Sequence, residues 1–291
     1  MTRHPYCFAT DFHDKFPNYS PNSKRLGEAL DAFTANILRV KSLGNLPIIL
    51  VGASITTQTY NMLAKFQLGI SEDDPALMIY HPGFDPAISQ KKEDLRKNLQ
   101  KEWWVKSQAG KAATGMQLGE AALGMMIPAG APATVEGIDA ILKGMITGVW
   151  TAFEVLVEMV WVGAIQERPN LEESMTAADK KDTGFGSTRK FRNLYRGTFK
   201  TGGDDIFRVL EDTRIDALAL TRNLIVHSGG KVDVAFDSRR VGLRELDCFS
   251  QITVGQHIQI TGHIVRDLIG PISTMGFDLV RIVDLWILNQ K

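Results

Sequence analysis

The stretch Asp204–Gly230, DDIFRVLEDTRIDALALTRNLIVHSGG, decides how the rest of the chain is interpreted. It predicts one helix that starts at an acidic cap, Asp204 or Asp205, and ends at a left-handed glycine in Gly229-Gly230. Steps of four and three connect an apolar seam along one face: Ile206, Leu210, Thr213, Ala217, Leu220 and Leu224. The next step of three reaches His227. The sequence therefore predicts a histidine that continues an apolar face in the last helical turn.

Two polar residues precede this histidine at short spacings. Asn223 lies four residues before His227, on nearly the same helix face. Arg222 lies five residues before it, about 140° around the helix, and its long side chain can swing back. Arg222-Asn223-x3-His227 with the following Ser-Gly-Gly resembles the R-x4-6-H signature of the HEPN superfamily (higher eukaryotes and prokaryotes nucleotide-binding). The segment TAFEVLVE at 151–158 is similar to the early, glutamate-bearing core helix of such domains.

The resemblance covers residues 134–291 and implies a fold and an activity for them. It implies a HEPN-like helical bundle and a metal-independent endoribonuclease, of the kind that acts in toxin–antitoxin and phage-defence systems. It also implies a homodimer in which two R-x4-6-H motifs face each other across a shared cleft. RNA, and an antitoxin or regulatory protein, are then the expected partners. The alternative is a non-catalytic HEPN module that binds RNA, a nucleotide or a protein.

The three motif residues have a coherent chemistry for RNA cleavage without a metal. That reaction needs a base for the 2′-hydroxyl, an acid for the leaving 5′ oxygen and positive charge beside the phosphorane. Histidine side chains can serve as base or acid near neutral pH, which makes His227 a candidate for both roles, and Arg222 offers fixed phosphate donors. Asn223 can orient the imidazole or bind a phosphate oxygen. The competing interpretation is a histidine that only satisfies the negative end of the helix dipole.

Two carboxylates on the preceding long helix are candidates for a positioning role. Glu154 and Glu158 are four residues apart, and a buried carboxylate requires a partner. Arg222 is one candidate partner. Pairing of both glutamates with nearby surface cations is the alternative.

The segment Arg189–Lys200, RKFRNLYRGTFK, concentrates positive charge in a chain of net charge zero. Its cations interleave with Phe191, Tyr195 and Phe199, which are spaced by four. One interpretation is a phosphate track in which Tyr195 stacks on a base, with Arg189, Lys190, Arg192 and Arg196 as the RNA-binding cations. The other is a core stripe of aromatic residues with surface cations.

Composition and motif content set further expectations. The two cysteines form no disulfide framework or metal cluster, and the sequence carries no nucleotide-binding or metal-binding motif, so we expect no cofactor, no metal and a cytoplasmic location. No leader is evident at the N-terminus. Gly144–Ile165 is apolar but contains Glu154 and Glu158, which favours a buried helix over a membrane span. No membrane partner is therefore expected.

The chain is predicted to be mainly α, with a boundary at Pro128-Ala-Gly-Ala-Pro132. Residues 1–133 are a mostly helical N-terminal region of unknown function, followed by the bundle at 134–291. Helices are predicted at about 24–43, with Ser23 as the cap and Gly44-Asn45 as the end, at 54–68, from 87 onward, at 137–166 and 205–228, and from 262 to about 288, with Thr261 as the cap. Residues 232–236 alternate and are expected to be extended. The apolar segment 46–53 is compatible with a strand or a buried helical turn. Gly115 and Gly119 indicate close helix packing.

Overall fold

The structure, a computed structural model, describes residues 19–71, 74–79, 82–126, 132–173, 175–177, 180 and 183–290. Its helices are α1 (Lys24–Leu68), α2 (Pro86–Gln108), α3 (Gly115–Met126), α4 (Pro132–Glu167), α5 (Asn170–Glu173), α6 (Thr188–Thr198), α7 (Asp204–Leu210), α8 (Thr213–Ser228), α9 (Val234–Arg239) and α10 (Gly262–Asn289). Two 3₁₀ turns lie at Pro75–Leu77 and Arg244–Phe249. Among these residues, β pairing is limited to one antiparallel bridge between Lys231 and His257. The predicted mainly α fold class is confirmed.

The chain divides into two compact units that differ from the predicted two-part organisation. The bundle unit contains residues 1–44 and 132–291, and the inserted unit contains residues 45–131. Residues 128–131 of the predicted boundary lie outside the described residues, and the bundle unit resumes at Pro132, but the first part of α1 also belongs with the bundle. Two glycines let the first part of α1 pack closely against α4 and α10. A Cβ at Gly276 would lie 2.4 Å from the Phe33 ring, and one at Gly148 would lie 2.8 Å from Val40.

The core of the bundle unit is built on α4 and α10, and α8 packs against both. Apolar side chains recur along both long helices at three- and four-residue spacings, as expected for helices that bury a broad face. The fully buried members include Leu142, Met145, Val149, Phe153 and Val160 of α4, and Val265, Leu268, Ile272, Leu279 and Val283 of α10. Each such side chain removed from water stabilises the fold by about 1.5–3 kcal/mol. The predicted helix at 137–166 is confirmed by α4.

A buried carboxylate on α10 fixes the start of α1. Asp284 is 1% exposed and accepts hydrogen bonds from the Tyr19 hydroxyl (2.7 Å), the Asn22 backbone N–H and side-chain amide (both 2.9 Å) and the Ser23 N–H (3.0 Å). Burial opposes ionisation, but these hydrogen bonds outweigh it and hold the pKa of Asp284 below its usual value. Ser23 also accepts from the Leu26 N–H, so it caps α1 as predicted.

In the inserted unit, the second part of α1 and α3 touch through their backbones. A Cβ at Gly52 would lie 1.9 Å from the Gly115 carbonyl oxygen, and one at Gly119 would lie 2.0 Å from the Ile48 carbonyl oxygen. The predicted close packing at Gly115 and Gly119 is therefore confirmed.

The predicted end of the first helix at Gly44-Asn45 is wrong, because α1 continues to Leu68 and includes Pro47. Residues 46–53, for which the sequence allowed a strand, are helical. Gly44 is buried within the helix and is not among the described glycines with positive φ. Packing of Ile48 and Gly52 against α3 thus overrides the stop signal, whose cost in a helix interior is only about 1 kcal/mol.

The predicted single helix at 205–228 is also wrong, because the segment forms α7 and α8 with a break at Glu211-Asp212. Asp212 is extended (φ −61°, ψ 130°), and its side chain accepts a hydrogen bond from the Arg214 N–H at 3.0 Å. It acts as a second N-cap inside the predicted helix. Asp204 and Asp205 lie in the first turn of α7 rather than at its cap.

Near the C-terminus, one local expectation is wrong and another is confirmed. Residues 234–236, expected to be extended, begin α9, which Asp233 caps through the Phe236 N–H. Thr261 caps α10 as predicted, and α10 runs without interruption through Pro271.

Candidate functional site

The candidate site lies where α8 ends against α4. Gly229 (φ 60°) and Gly230 (φ 88°) are both left-handed, and the Gly230 N–H donates to the Leu224 carbonyl at 3.1 Å. This glycine stop was predicted from the sequence and is confirmed. It places His227 in the last turn of α8, one turn after Asn223.

His227 does not continue a buried seam, and the predicted apolar face was wrong at this point. The imidazole is exposed, as is Thr213 at the other end of the helix. The buried positions of α8 are Ile215, Ala217, Leu218, Leu220, Thr221 and Leu224. Ala217, Leu220 and Leu224 of the predicted seam are buried, but the protein that covers this face of α8 ends before His227. His227 is consequently open to a large substrate in solution.

Arg222 is held by its neighbour and retains one unused donor. Its Nη1 donates to Asn223 Oδ1 at 3.0 Å, so Asn223 positions the guanidinium in this structure. Arg222 Nε is buried and has no hydrogen-bond partner among the described residues. A buried donor without a partner costs about 1–3 kcal/mol, which an acceptor that reached it would recover.

Glu154 on α4 faces the same arginine. Burial raises the pKa of Glu154, while a hydrogen bond from the Trp150 side chain and the charge of Arg222 act in the opposite direction. The structure therefore brings Glu154 within electrostatic reach of Arg222. Glu158, one turn further along α4, is exposed.

Sequence reasoning missed a lysine that lies at the C-terminal end of α8. A Cβ at Gly230 would lie 3.1 Å from Lys143 Nζ, and Lys143 forms an ion pair with Asp139 at 2.6 Å. Asp139 also accepts from the Ile260 N–H at 3.2 Å. The four-residue spacing of Asp139 and Lys143 was the available signal, but nothing in the sequence related it to Gly230.

Together these contacts define the orientation of two helices and a polar edge between them. Residue 143 of α4 lies beside residue 230, and residue 154 lies within reach of residue 222, so α4 and α8 run antiparallel. We call the polar side chains along this line the α4–α8 edge: Asp139, Lys143, Glu154, Arg222 and Asn223, with His227 exposed at the end of α8. His227 makes no hydrogen bond or ion pair within the described ranges, and Arg222 lies about 140° from it around the helix axis.

Tyr195, predicted to stack on a base, is instead a core residue. It is fully buried, its hydroxyl donates to the Val157 carbonyl at 2.7 Å, and its ring stacks on Phe199 at a centroid distance of 5.4 Å. Burial raises the pKa of this phenol well above its usual value. The base-stacking role is therefore wrong, because no face of the ring is open to a ligand.

The predicted RNA-binding cations divide into two pairs. Arg192 forms a bidentate ion pair with Asp216 (2.9 and 3.0 Å) and donates to the Leu210 carbonyl at 2.7 Å. Arg196 pairs with Glu211 at 2.5 Å. Both arginines tie α6 to the junction of α7 and α8. Arg189 and Lys190, in the first turn of α6, are exposed.

Within the described part of the chain, no three His, Cys, Asp or Glu side chains are placed to hold a metal ion. No protein-family model matches the chain, and neither curated proteins nor solved structures show significant similarity to it. The class of the protein is therefore defined here by its fold alone, a mainly α chain with one inserted unit.

Proposed function

We propose that this chain is a metal-independent endoribonuclease of HEPN type, with Arg222, Asn223 and His227 as its site. The observation that supports it best is the α4–α8 edge. An exposed imidazole lies at the end of α8, Lys143 lies over the next turn, and Arg222 one to two turns earlier has an unsatisfied N–H. Phosphodiester cleavage requires an acid–base group and positive charge, and α8 with the facing part of α4 carries both.

The proposed reaction is attack of a ribose 2′ oxygen on the adjacent phosphorus with departure of the 5′ oxygen. One imidazole takes the proton from the 2′-hydroxyl, and an imidazolium gives a proton to the leaving oxygen. The products are a 2′,3′-cyclic phosphate and a 5′-hydroxyl. Since one His227 cannot perform both transfers in one step, the proposal includes a homodimer that brings two His227 side chains to one cleft.

The remaining residues of the edge have positioning and charge roles in this proposal. Asn223 holds the Arg222 guanidinium through their hydrogen bond, and Glu154 supplies the opposing charge beside it. Lys143 adds positive charge beside Gly230, at the end of α8. Glu158 is exposed and receives no role.

Arg189 and Lys190 are the exposed cations through which RNA would be bound outside the cleft. Arg192 and Arg196 stabilise the fold in this proposal and are not assigned to RNA binding, because each already pairs with a carboxylate. A bacterial toxin–antitoxin or phage-defence setting, with an antitoxin or regulatory protein as partner and RNA in the cytoplasm as substrate, is part of the same proposal.

The direct test is incubation of the purified chain with mixed RNA in EDTA. We expect cleavage by the wild type and a loss on the order of 10²–10⁴ in rate for His227→Ala. Arg222→Ala should lose a comparable factor through the phosphorane charge. Arg239→Ala replaces an exposed arginine elsewhere in the bundle unit and should cleave at the wild-type rate.

A non-catalytic RNA-binding module is the second candidate, and a specific observation favours it. Arg222 engages Asn223 and faces Glu154, while His227 makes no contact with them. In that case the wild type would bind RNA without cleaving it, and Arg222→Ala would change affinity alone. Cleavage that survives in His227→Ala would exclude the proposed nuclease mechanism.

A further inference from the structure

The inserted unit exposes far more apolar surface than its size explains. It holds less than a third of the chain, yet ten of the nineteen exposed large apolar side chains among the described residues belong to it. The most exposed are Phe66 (83%), Ile79 (70%), Val105 (62%), Trp104 (60%) and Leu50 (59%). An excess of exposed apolar side chains on one unit indicates a surface that another apolar phase covers.

One continuous part of α1 contains no charged side chain. Residues 42–64, SLGNLPIILVGASITTQTYNMLA, lie between Lys41 and Lys65. At a helical rise of 1.5 Å per residue the run is about 35 Å long, whereas the hydrocarbon core of a bilayer is about 30 Å thick. Its length therefore matches the thickness of a lipid bilayer.

Two helices, α1 and α4, are long and apolar enough to cross a membrane, but they differ in how well protein covers them. In α4, 50% of the apolar window is buried, and this helix carries Glu154 and forms the centre of the bundle. In α1 only 28% of the window is buried. We interpret α4 as a core helix, while α1 lacks the protein cover that such a helix requires.

The apolar residues of α1 surround the helix instead of forming one stripe. Within Leu46–Val51, Ile48 is fully buried, whereas Leu46, Ile49 and Leu50 are exposed. A helix that is apolar on all sides is typical of a membrane span or of the centre of a large protein.

The contact between α1 and α3 is of the kind that forms in lipid. Gly52 lies against Gly115, and Gly119 lies against Ile48, so the two helices are antiparallel and their backbones touch. In a bilayer, where apolar side chains gain nothing by leaving lipid, helices associate through such small residues. With twelve residues, about 18 Å, α3 covers only part of the run and does not span a bilayer by itself.

Several polar groups of the run are already satisfied within the helix. The Ser42 hydroxyl donates to the Leu38 carbonyl (2.9 Å), that of Thr56 to Gly52 (2.6 Å) and that of Thr59 to Ile55 (2.8 Å). Hydroxyls bonded to their own helix cost little to transfer into hydrocarbon. Tyr60 packs against Trp103 near the end of the run (6.2 Å), and aromatic residues are enriched at membrane interfaces.

We propose that α1 enters a lipid bilayer through residues 42–64, with α3 packed against it. This proposal departs from the expectation, drawn from the sequence, that a membrane is not a partner. It does not depend on the proposed ribonuclease activity, because the α4–α8 edge lies entirely in the bundle unit. A second copy of the chain is the competing occupant of the same apolar surface, and the experiment distinguishes the two.

The test is flotation of the full chain with vesicles of phosphatidylcholine and phosphatidylglycerol. We expect the protein to rise with the vesicles. It should remain bound after washes with about 1 M salt and with alkaline carbonate, because a helix inserted in hydrocarbon is not held by surface charge. Protein that stays in the soluble fraction, or that either wash removes, would overturn the proposal. A stable dimer that ignores vesicles would identify a second copy as the occupant.

Matched variants connect the result to α1. Leu50→Asp introduces a charge in the middle of the run and should reduce the floated fraction at least roughly tenfold, because a carboxylate is strongly disfavoured in hydrocarbon. Val241→Asp changes an apolar residue of the bundle unit that is 80% exposed and should float like the wild type. Both sites are exposed, so circular dichroism should show unchanged helicity. Flotation of Leu50→Asp at the wild-type level would contradict the proposal.

Discussion

The bundle unit and the inserted unit are both helical, but they solve the packing of apolar residues in different ways. In the bundle unit, α4 and α10 bury their side chains against each other, and the buried carboxylate of Asp284 receives four hydrogen bonds. In the inserted unit, α1 and α3 meet through glycine backbones and leave Leu50 and Phe66 exposed. The comparison shows that apolar composition predicts a helix but does not predict what covers it.

The largest expected effect concerns the glycine contact of the inserted unit. Gly119→Ala places a Cβ about 2.0 Å from the Ile48 carbonyl, and a backbone atom cannot rotate away. We expect the contact between α1 and α3 to lose about 3 kcal/mol, the upper part of the range for overpacking. Hydrogen exchange should accelerate in residues 45–126 while α4 and α10 stay protected.

The control for this change is Gly27→Ala, because a Cβ at Gly27 meets nothing within 4 Å. That variant should be unchanged or slightly more stable, since alanine is the better helix former. Equal exchange in the two variants would show that the backbone contact between α1 and α3 does not hold the inserted unit together.

A smaller loss is expected from the buried carboxylate of the bundle unit. Asp284→Ala leaves the donors of Tyr19, Asn22 and Ser23 without their acceptor, which should lower the free energy of unfolding by about 2–3 kcal/mol. Asp278→Ala, on the same helix but in a half-exposed pair with Arg281, should lose under about 0.5 kcal/mol. Urea denaturation of both variants measures the difference.

The pH dependence of the Asp284 effect has a definite sign. Because the pKa of Asp284 is lowered in the folded chain, its stabilisation is present above the usual pKa of 3.8 and is lost as pH falls through the folded value. The difference between wild type and Asp284→Ala should therefore be largest near neutral pH and shrink in acid. A difference that grows on acidification would contradict this account of the hydrogen bonds.

Glu154 should show the opposite pH dependence and a more modest effect. Burial raises its pKa, so the folded chain favours the protonated form, and ionisation above the usual pKa of 4.5 destabilises the fold. Glu154→Gln should then be slightly more stable than the wild type at pH 8 and equal to it near pH 4. If Glu154 also positions Arg222, the same variant should lose cleavage rate, which a merely structural residue would not affect.

The smallest expected effects are on RNA affinity. Lys190→Ala should weaken RNA binding by a modest factor and reduce the slope of its salt dependence, because an exposed cation acts mainly by releasing counterions. Arg192→Ala should instead lower the free energy of unfolding, since Arg192 bonds Asp216 and the Leu210 carbonyl. Filter binding over a range of salt concentrations, together with denaturation, separates the two roles. An Arg192→Ala variant of full stability with weakened RNA binding would restore the phosphate-track interpretation.

The sequence predicted the elements whose signals are local. Thr261, Ser23 and the glycines at 229–230 each act within a few residues, and the structure confirms all three sites. The long apolar pattern of α4 likewise required no knowledge of its partners. The break at Glu211-Asp212 also has a local signal, because aspartate is a favoured N-cap residue. The apolar seam continues across this position and favours one helix, so the cap at Asp212 was missed.

The parts that the sequence could not predict depend on distant contacts. The four-residue spacing of Tyr195 from its aromatic neighbours fits both a buried core stripe and a base-stacking surface. The hydrogen bond from Tyr195 to the distant Val157 carbonyl distinguishes the two. Lys143 became a candidate because the chain places it over Gly230, a residue far away in sequence. Helix α1 continues past Gly44 because it packs against α3, and the local stop signal at Gly44-Asn45 contains no information about that contact.

The central claim is that His227 and Arg222 cleave RNA through the 2′-hydroxyl, and the chemistry of the product ends tests it most directly. A uniquely labelled RNA should be incubated in EDTA with the wild type and with His227→Ala. We predict fragments with 5′-hydroxyl and 2′,3′-cyclic phosphate ends from the wild type, no cleavage at a position whose ribose is 2′-deoxy, and a rate reduced on the order of 10²–10⁴ for His227→Ala. Fragments with 5′-phosphate ends, cleavage at the 2′-deoxy position, or undiminished cleavage by His227→Ala would contradict the claim.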